Sequence, residues 1–444
     1  MKKTYIDTAM ERIAPDLILK GGNVVDVFSG RVIKADVIIK DGIICGVGSY
    51  SGENEQDVSG KYIMPGFIDS HVHIESSMTQ PSEYAKAVMP HGITTVIADP
   101  HEITNVCGED GLEFMLKSAK NIPLDVNLML PSCVPATPFE HTGANLDAKT
   151  TQKLAPKFFG IGEMMNYPGI VSGDDETLGK LCLDIIDGHA PLLSGHELDA
   201  YASVGIKTDH ECSVVEEMTE KISKGMYILL REGTLSLDVA KLIKGVTPYT
   251  LRRCAFCTDD RFVGEIIRDG SIDHCIRKAV SLGLNNIDAI IMATLNACEI
   301  YGMKNKGAIA PSYVADIVVA DDLNLSSISQ VYKNGKLVCE NGKALFECET
   351  VDNSKVTNTV HLPKISADFF KTDVKDKFDA IELIPESIIT KKVTVSYSDS
   401  LSKVCVIERH HNLGTKGIGF VTNYGITNGA IATSIGHDSH NVIV

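Results

Sequence analysis

The chain has 444 residues, a formal net charge of −16 and a pI of about 5.3, a length that divides among roughly two or three domains. An acidic surface repels phosphate backbones, which excludes polymeric nucleic acid as the expected partner. The basic start Met1-Lys2-Lys3 has no apolar segment after it to make a signal peptide. No apolar run reaches the about 18 residues that span a bilayer, so no membrane partner is expected. The twelve scattered cysteines then read as free thiols of a cytoplasmic protein.

Residues 17 to 60 read as short strands. Leu17-Ile18-Leu19, Asn23-Val24-Val25-Asp26-Val27, Val37-Ile38-Ile39 and Ile43-Ile44-Cys45-Gly46-Val47-Gly48 are β-branched-rich runs separated by glycine-containing turns. A second block of this character lies at Ala315–Ala320 and Gln330–Val338. The two blocks suggest one small β-sandwich domain, 1–64 with 306–350, interrupted by an inserted domain at 65–305. Residues 354 to 379 are polar and lysine-rich, as a linker would be, and a mixed α/β C-terminal domain is expected within 351–444. Its end at Asn441-Val442-Ile443-Val444 reads as mid-strand, so the expectation is a chain truncated inside this domain.

The segment 65–305 alternates buried-strand runs with helical patterns such as Ser213–Ser223 and Ile272–Leu282. The strand runs are Gly66–Ser70, Thr94–Ala98, Asp125–Leu130, Phe158–Gly162, Pro191–Ser194, Gly205–Thr208, Tyr227–Leu230 and Ala255–Thr258. That alternation predicts a (β/α)8 TIM-like barrel. The runs end, in order, at His71/His73, His101, Ser132, Glu163, His196, His210, Arg231 and Asp259. Barrel active sites sit at the C-terminal ends of the strands, so these residues form the candidate site.

His71 and His73 stand at i and i+2 of one strand, which turns both imidazoles to the same face. Such a pair is a half-site for Zn²⁺, Mn²⁺ or Fe²⁺. His196 and His210 are candidates for a second ion. Glu163 is placed to bridge two cations, and Asp259 to ligate one and accept the proton of an attacking water, with Asp260 its rival. Four histidines and two carboxylates suit two divalent ions, between which hydroxide is a nucleophile at neutral pH. Ser132 and Arg231, at strand ends, are candidates for substrate contact.

With these residues the chain resembles the amidohydrolase superfamily and, within it, the adenine deaminase family. The resemblance rests on Met64–Ser77, Ala98–Ile103, Gly160–Asn166, Ser194–His196, Thr208–Glu211, Cys257–Arg261, Arg409–His411 and Gly436–Asn441. It runs from about residue 17 to the last. The hydantoinase branch uses a carbamylated lysine on the fourth strand. Glu163 at that position points to the deaminase branch.

The resemblance implies hydrolysis of adenine to hypoxanthine and ammonia, a purine-salvage reaction, with Mn²⁺ or Fe²⁺ as cofactor and a homo-oligomeric enzyme. It implies that His101 hydrogen-bonds the water or the intermediate. His437 and His440 either line the active site from the third domain, bind a further metal or form an ordinary polar turn, and the resemblance alone supports a functional reading. Hydrolysis of a cyclic amide and an inactive truncated fragment are the alternatives. Cys254-x-x-Cys257 reads as buried strand thiols, Gly414–Gly419 as turn glycines, His91 as a helix–strand turn residue, and His141, His189, His274 and His361 as structural or surface histidines.

Overall fold

The computed structural model describes residues 2–373, 376–385, 389–398 and 401–444. The β-branched runs at the two ends of the barrel segment pair with each other. Leu17–Asp26, Arg31–Lys40, Ile43–Gly48, Glu55–Asp57 and Tyr62–Pro65 join Ile317–Ala320, Ile328–Lys333, Lys336–Glu340 and Lys343–Ala344 in one nine-stranded sheet. The seam is the antiparallel pair Tyr62–Pro65 and Ile317–Ala320, with Ile63 opposite Val319. Leu19, Val37, Ile39, Ile63, Ile317 and Val319 are fully or almost fully buried there. Each contributes roughly 1.5–3 kcal/mol. The seam brings residues 66 and 316 together, with Gly66 N–H donating to Asp316 O at 2.8 Å, so the intervening chain folds as an insertion.

That insertion is a curled parallel sheet of eight strands, each followed by helical or loop segments. The strands are Phe67–Val72, Ile93–Ala98, Asp125–Leu130, Gly160–Met164, Ile186–Gly188, Thr208–Asp209, Tyr227–Arg231 and Cys254–Cys257. Strands one to five pair in sequence, as do six to eight. Gly188 N–H donates to Thr208 Oγ1 at 3.1 Å between the fifth and sixth. A parallel bridge between Val72 and Asp259 joins the eighth strand's end to the first. The ring is therefore closed, with its carboxyl ends converging.

The fifth strand corrects the sequence expectation. Pro191–Ser194 is a turn, with Leu192 at φ 60°, and the strand is Ile186–Gly188. The run Pro191-Leu192-Leu193 is apolar because Leu193 packs under the following helix, whereas the true strand turns Asp187 toward His71. The first and fourth strands also reach further than expected, so His71 and Glu163 lie within strands. Leu17–Asp26 is one strand whose register shifts between Leu19 and Gly22, where two were expected.

The C-terminal residues form a five-stranded mixed sheet in the order Thr390–Ser396, Lys377–Leu383, Lys416–Thr422, Ser402–Ile407, Val442–Ile443. It starts at Lys377, inside the stretch that reads as linker. Phe378 and Phe420 pack in its core with ring centroids 4.3 Å apart. Asn441 Nδ2 donates to His141 O at 2.8 Å, tying this sheet to the barrel's rim. No helix among the described residues is long and apolar enough to cross a membrane.

Candidate metal centre

The barrel mouth is built around Glu163. Gly162 precedes it, and a Cβ there would lie 2.1 Å from Asp99 Oδ2. That space lets the Asp99 carboxylate accept the Glu163 N–H at 2.9 Å. Ser132 Oγ donates to the Glu163 carbonyl at 2.6 Å. The Glu163 backbone is thus held from both neighbours, and its side chain is 3% exposed residue-wise.

Four imidazoles close on its two oxygens. Oε1 lies 3.5 Å from His73 Nε2 and 3.2 Å from His101 Nδ1. Oε2 lies 2.8 Å from His189 Nδ1 and 3.0 Å from His210 Nε2. His71 Nε2 stands 3.9 Å from Oε2 and 3.1 Å from His73 Nε2. Burial opposes ionisation of Glu163, but His189, His101 and His210 outweigh it and hold the carboxyl well below its usual range.

Asp259 supplies the second carboxylate. Its backbone sits at φ 57°, a left-handed conformation that aspartate tolerates better than most residues. Its N–H donates to His71 O at 2.9 Å, and its carbonyl accepts from His73 N–H at 3.2 Å. These bonds turn Oδ1 inward, 3.1 Å from His73 Nε2 and 3.6 Å from His71 Nε2. Oδ2 accepts from Arg231 Nη1 at 2.8 Å. Burial would raise the Asp259 pKa, yet the His73 contact and the Arg231 guanidinium hold it well below the carboxylate range. Asp260 accepts from Ser76 Oγ at 2.6 Å and forms a further group of converging donors with His73 and Asp259.

The donor set fits divalent ions. His73 Nδ1 lies 2.8 Å from the Asp99 carbonyl, which can only accept, so Nδ1 carries the proton and Nε2 presents its lone pair inward. Both ring nitrogens of His210 are buried without a hydrogen-bond partner among the described residues. Such orphaned nitrogens are costly unless an ion or a substrate engages them. His71, His73 and Glu163 form one group of converging donors; Glu163, His189 and His210 form another; His71, His210 and Asp259 form a third. Glu163 belongs to the first two, as a bridging carboxylate would.

Of the residues singled out in the sequence, His71, His73, Glu163, His210 and Asp259 come together, with His101 beside them. His196 does not. It lies in the helix Gly195–Ser203 with its side chain fully exposed, facing Asp199 at 4.0 Å. Its place in the donor cluster is taken by His189, which follows the true fifth strand and reads as a structural or surface histidine in the sequence. Gly188 is obligatory there because a Cβ would meet Thr208 O at 2.2 Å.

Ser132, expected to touch substrate, is instead buried as the latch on Glu163. Arg231 is an ion-pair hub for Glu211, Asp238 and Asp259 at the cavity wall. His440 bonds Glu102 away from the cavity lining, while His437 does line it. Asp99 and Asp187 also went unrecognised; Asp187 Oδ2 stands 3.7 Å behind His71 Nδ1. Neither has a sequence signal beyond a buried polar residue at a strand end.

The donors face a cavity of about 710 Å³, walled by Met78, Met165, Leu235 and Phe262 beside the polar groups. Known proteins can be set against this geometry. The Amidohydrolase family matches residues 62–338, and the Adenine deaminase C-terminal domain matches residues 383–444. "Adenine deaminase 2" of Desulfotalea psychrophila is 45% identical over 462 residues, covering 100% of this chain and 80% of that protein. The chain belongs to the adenine deaminase family.

An adenine deaminase of Clostridium acetobutylicum is 47% identical over 459 residues, covering 99% of this chain and 80% of that one. Among solved structures, an enamidase superposes with a TM-score of 0.56 at 18% identity, over 75% of this chain and 97% of that one. A β-aspartyl dipeptidase from Fervidobacterium islandicum AW-1 gives 0.55 at 20% identity, over 76% and 99%. These two share the amidohydrolase fold. Adenine deaminase family members and the wider superfamily set the expectation of divalent metal that the donor cluster meets.

Proposed function

We propose that this chain hydrolyses adenine to hypoxanthine and ammonia, using two divalent ions held by His71, His73, Glu163, His189, His210 and Asp259. What carries the reading is the convergence of four imidazoles on the single carboxylate of Glu163, in a chain that aligns along its length with adenine deaminases. Mn²⁺ or Fe²⁺ suits the mixed nitrogen and oxygen donors, and Zn²⁺ is compatible. Held by these residues, two such ions would lower the pKa of bound water enough to make it a nucleophile at neutral pH.

The chain's own groups do the rest. Arg231 fixes Asp259 Oδ2, leaving Oδ1 aimed at the donors, where it accepts the proton of the water that attacks purine C6. Attack opens the C6=N1 double bond, and Asp259 passes the proton it took to N1. The remaining hydroxyl proton moves to the exocyclic nitrogen as the C6–N bond breaks, leaving the C6 carbonyl of hypoxanthine and ammonia. His101, between Glu163 and the cavity, is placed to hydrogen-bond the reacting water or the intermediate. The apolar wall of Met78, Met165 and Phe262 offers a flat base a surface to pack on. The twelve unpaired cysteines fit a reducing cytoplasmic compartment.

The test is ammonia release from adenine by the manganese-loaded chain, run beside ring opening of a hydantoin. Hypoxanthine and ammonia should appear in equal amounts, and the hydantoin should stay closed. Opening of the hydantoin with adenine untouched would favour cyclic-amide hydrolysis instead. Asp259→Asn should abolish turnover while keeping most of the bound metal, and full activity would remove Asp259 from the proton path.

A further inference from the structure

On the side of His101 away from Glu163 lies a second cluster of metal-competent groups, of which only His101 has a part in the deamination chemistry. His101 and Glu102 open the helix His101–Ser118, directly after the second barrel strand. His437, Asp438 and His440 come from the turn that precedes the last strand of the C-terminal sheet. His101 Nε2 lies 3.3 Å from Glu102 Oε1 and 3.3 Å from Asp438 Oδ1. His437 Nδ1 approaches Glu102 Oε1 to 2.6 Å.

These approaches are ion-pair contacts that leave two buried atoms outside hydrogen-bond geometry. Glu102 is 2% exposed and His101 3% exposed, yet Glu102 Oε1 and His101 Nε2 both lack a hydrogen-bond partner among the described residues. The other carboxylate oxygen, Oε2, is engaged by His440 Nε2. Glu102 is therefore oriented by His440 through one oxygen and presents the other to the His101 and His437 imidazoles, while Asp438 Oδ1 reaches the same His101 Nε2. Two imidazoles and two carboxylates meet here, and a divalent cation among them satisfies the carboxylates with the histidines neutral.

The spacing suits an ion. Donors about 2.1 Å from a tetrahedral metal stand roughly 3.4 Å from each other. Two of the N···O separations, both 3.3 Å, match this, and the 2.6 Å contact of His437 with Glu102 would open by under 1 Å to admit the ion. Two carboxylates balance the charge of a divalent cation. The other nitrogen of the His101 ring lies 3.2 Å from the Glu163 carboxylate.

We propose that His101 Nε2, Glu102 Oε1, His437 Nδ1 and Asp438 Oδ1 form a separate mononuclear site for a borderline divalent cation such as Zn²⁺. The ion ties the C-terminal segment to the barrel at the edge of the cavity, and the His101 ring joins it to the main centre.

Equilibrium dialysis of the whole chain against buffered Zn²⁺, followed by elemental analysis, tests this. The wild type is compared with the double variant His437→Ala, Asp438→Ala, whose side chains are 48% and 33% exposed and tolerate truncation. At saturating zinc the double variant should hold one ion per chain fewer, whatever number the main centre binds. The same difference should persist in a His189→Ala background, which separates this site from the main one. Equal zinc content with and without the double substitution overturns the proposal and leaves Glu102 as an ion-pair hub. Glu102→Gln keeps the shape and removes one charge. It should weaken the last-filling site at least tenfold, and an unchanged isotherm overturns the proposal equally.

Discussion

Lys221 links the stability of the barrel to the geometry of its site. Its ammonium is wholly buried, 3.1 Å from Asp209 Oδ2 and 2.7 Å from Glu217 Oε1, and donates to Ala190 O at 2.7 Å. Burial alone would lower its pKa, but Asp209, Cys212 and Glu217 raise it above the usual lysine value, so it stays charged. Lys221→Met keeps the volume and removes the cation. Two carboxylates then remain buried without their counter-ion, a loss of about 3–5 kcal/mol.

The lower end of that range is expected, because both acids retain backbone donors. Asp209 accepts from Ala190 and Glu211 N–H at 2.9 Å each, and Glu217 from Leu192 N–H at 2.7 Å. Ala190 follows His189, and Asp209 precedes His210, so metal occupancy should fall together with stability. Urea unfolding followed by far-UV circular dichroism measures the change, since the chain has no tryptophan to report it. A loss below about 1 kcal/mol, the range of ordinary surface substitutions and single neutral hydrogen bonds, would refute the reasoning.

Ser132→Ala should cost about 1 kcal/mol through the lost bond to the Glu163 carbonyl and leave KM for adenine unchanged; a large rise in KM would return Ser132 to the substrate. His274 has its pKa lowered to about 4, by burial first and then by Arg261 and Arg277. Its neutral form is favoured in the fold, so the stability it contributes is present above its ordinary 6.5 and is lost as the pH falls toward 4. His274→Gln should therefore flatten the fall of thermal midpoint between these pH values, and parallel profiles would count against the assignment.

The parts of the fold that follow from local patterning were legible in the residues. The two β-branched blocks announced a shared sheet, and six barrel strands were recognisable as apolar runs that ended in polar groups, while the sixth, expected at 205–208, begins only at Thr208. The fifth strand was hidden because Ile186-Asp187-Gly188 is short and half polar. Its Asp187 is satisfied only by distant partners, Thr208 Oγ1 at 2.8 Å and Tyr301 O–H at 3.0 Å. The neighbouring Pro191-Leu192-Leu193 offered a stronger apolar signal and moved the expected ligand seven residues along, from His189 to His196. Glu102 was invisible as a hub for the same reason: its partners His437 and His440 lie more than 330 residues away, and no local period marks such a meeting.

Manganese content and adenine-dependent ammonia release, measured side by side for His189→Ala and His196→Ala, test the proposed two-ion centre most directly. His196→Ala should match the wild type in both, because that side chain is on the surface. His189→Ala should lose about one ion per chain and at least roughly a hundredfold in turnover. Full metal and activity in His189→Ala, with loss in His196→Ala, would contradict the donor set built on Glu163.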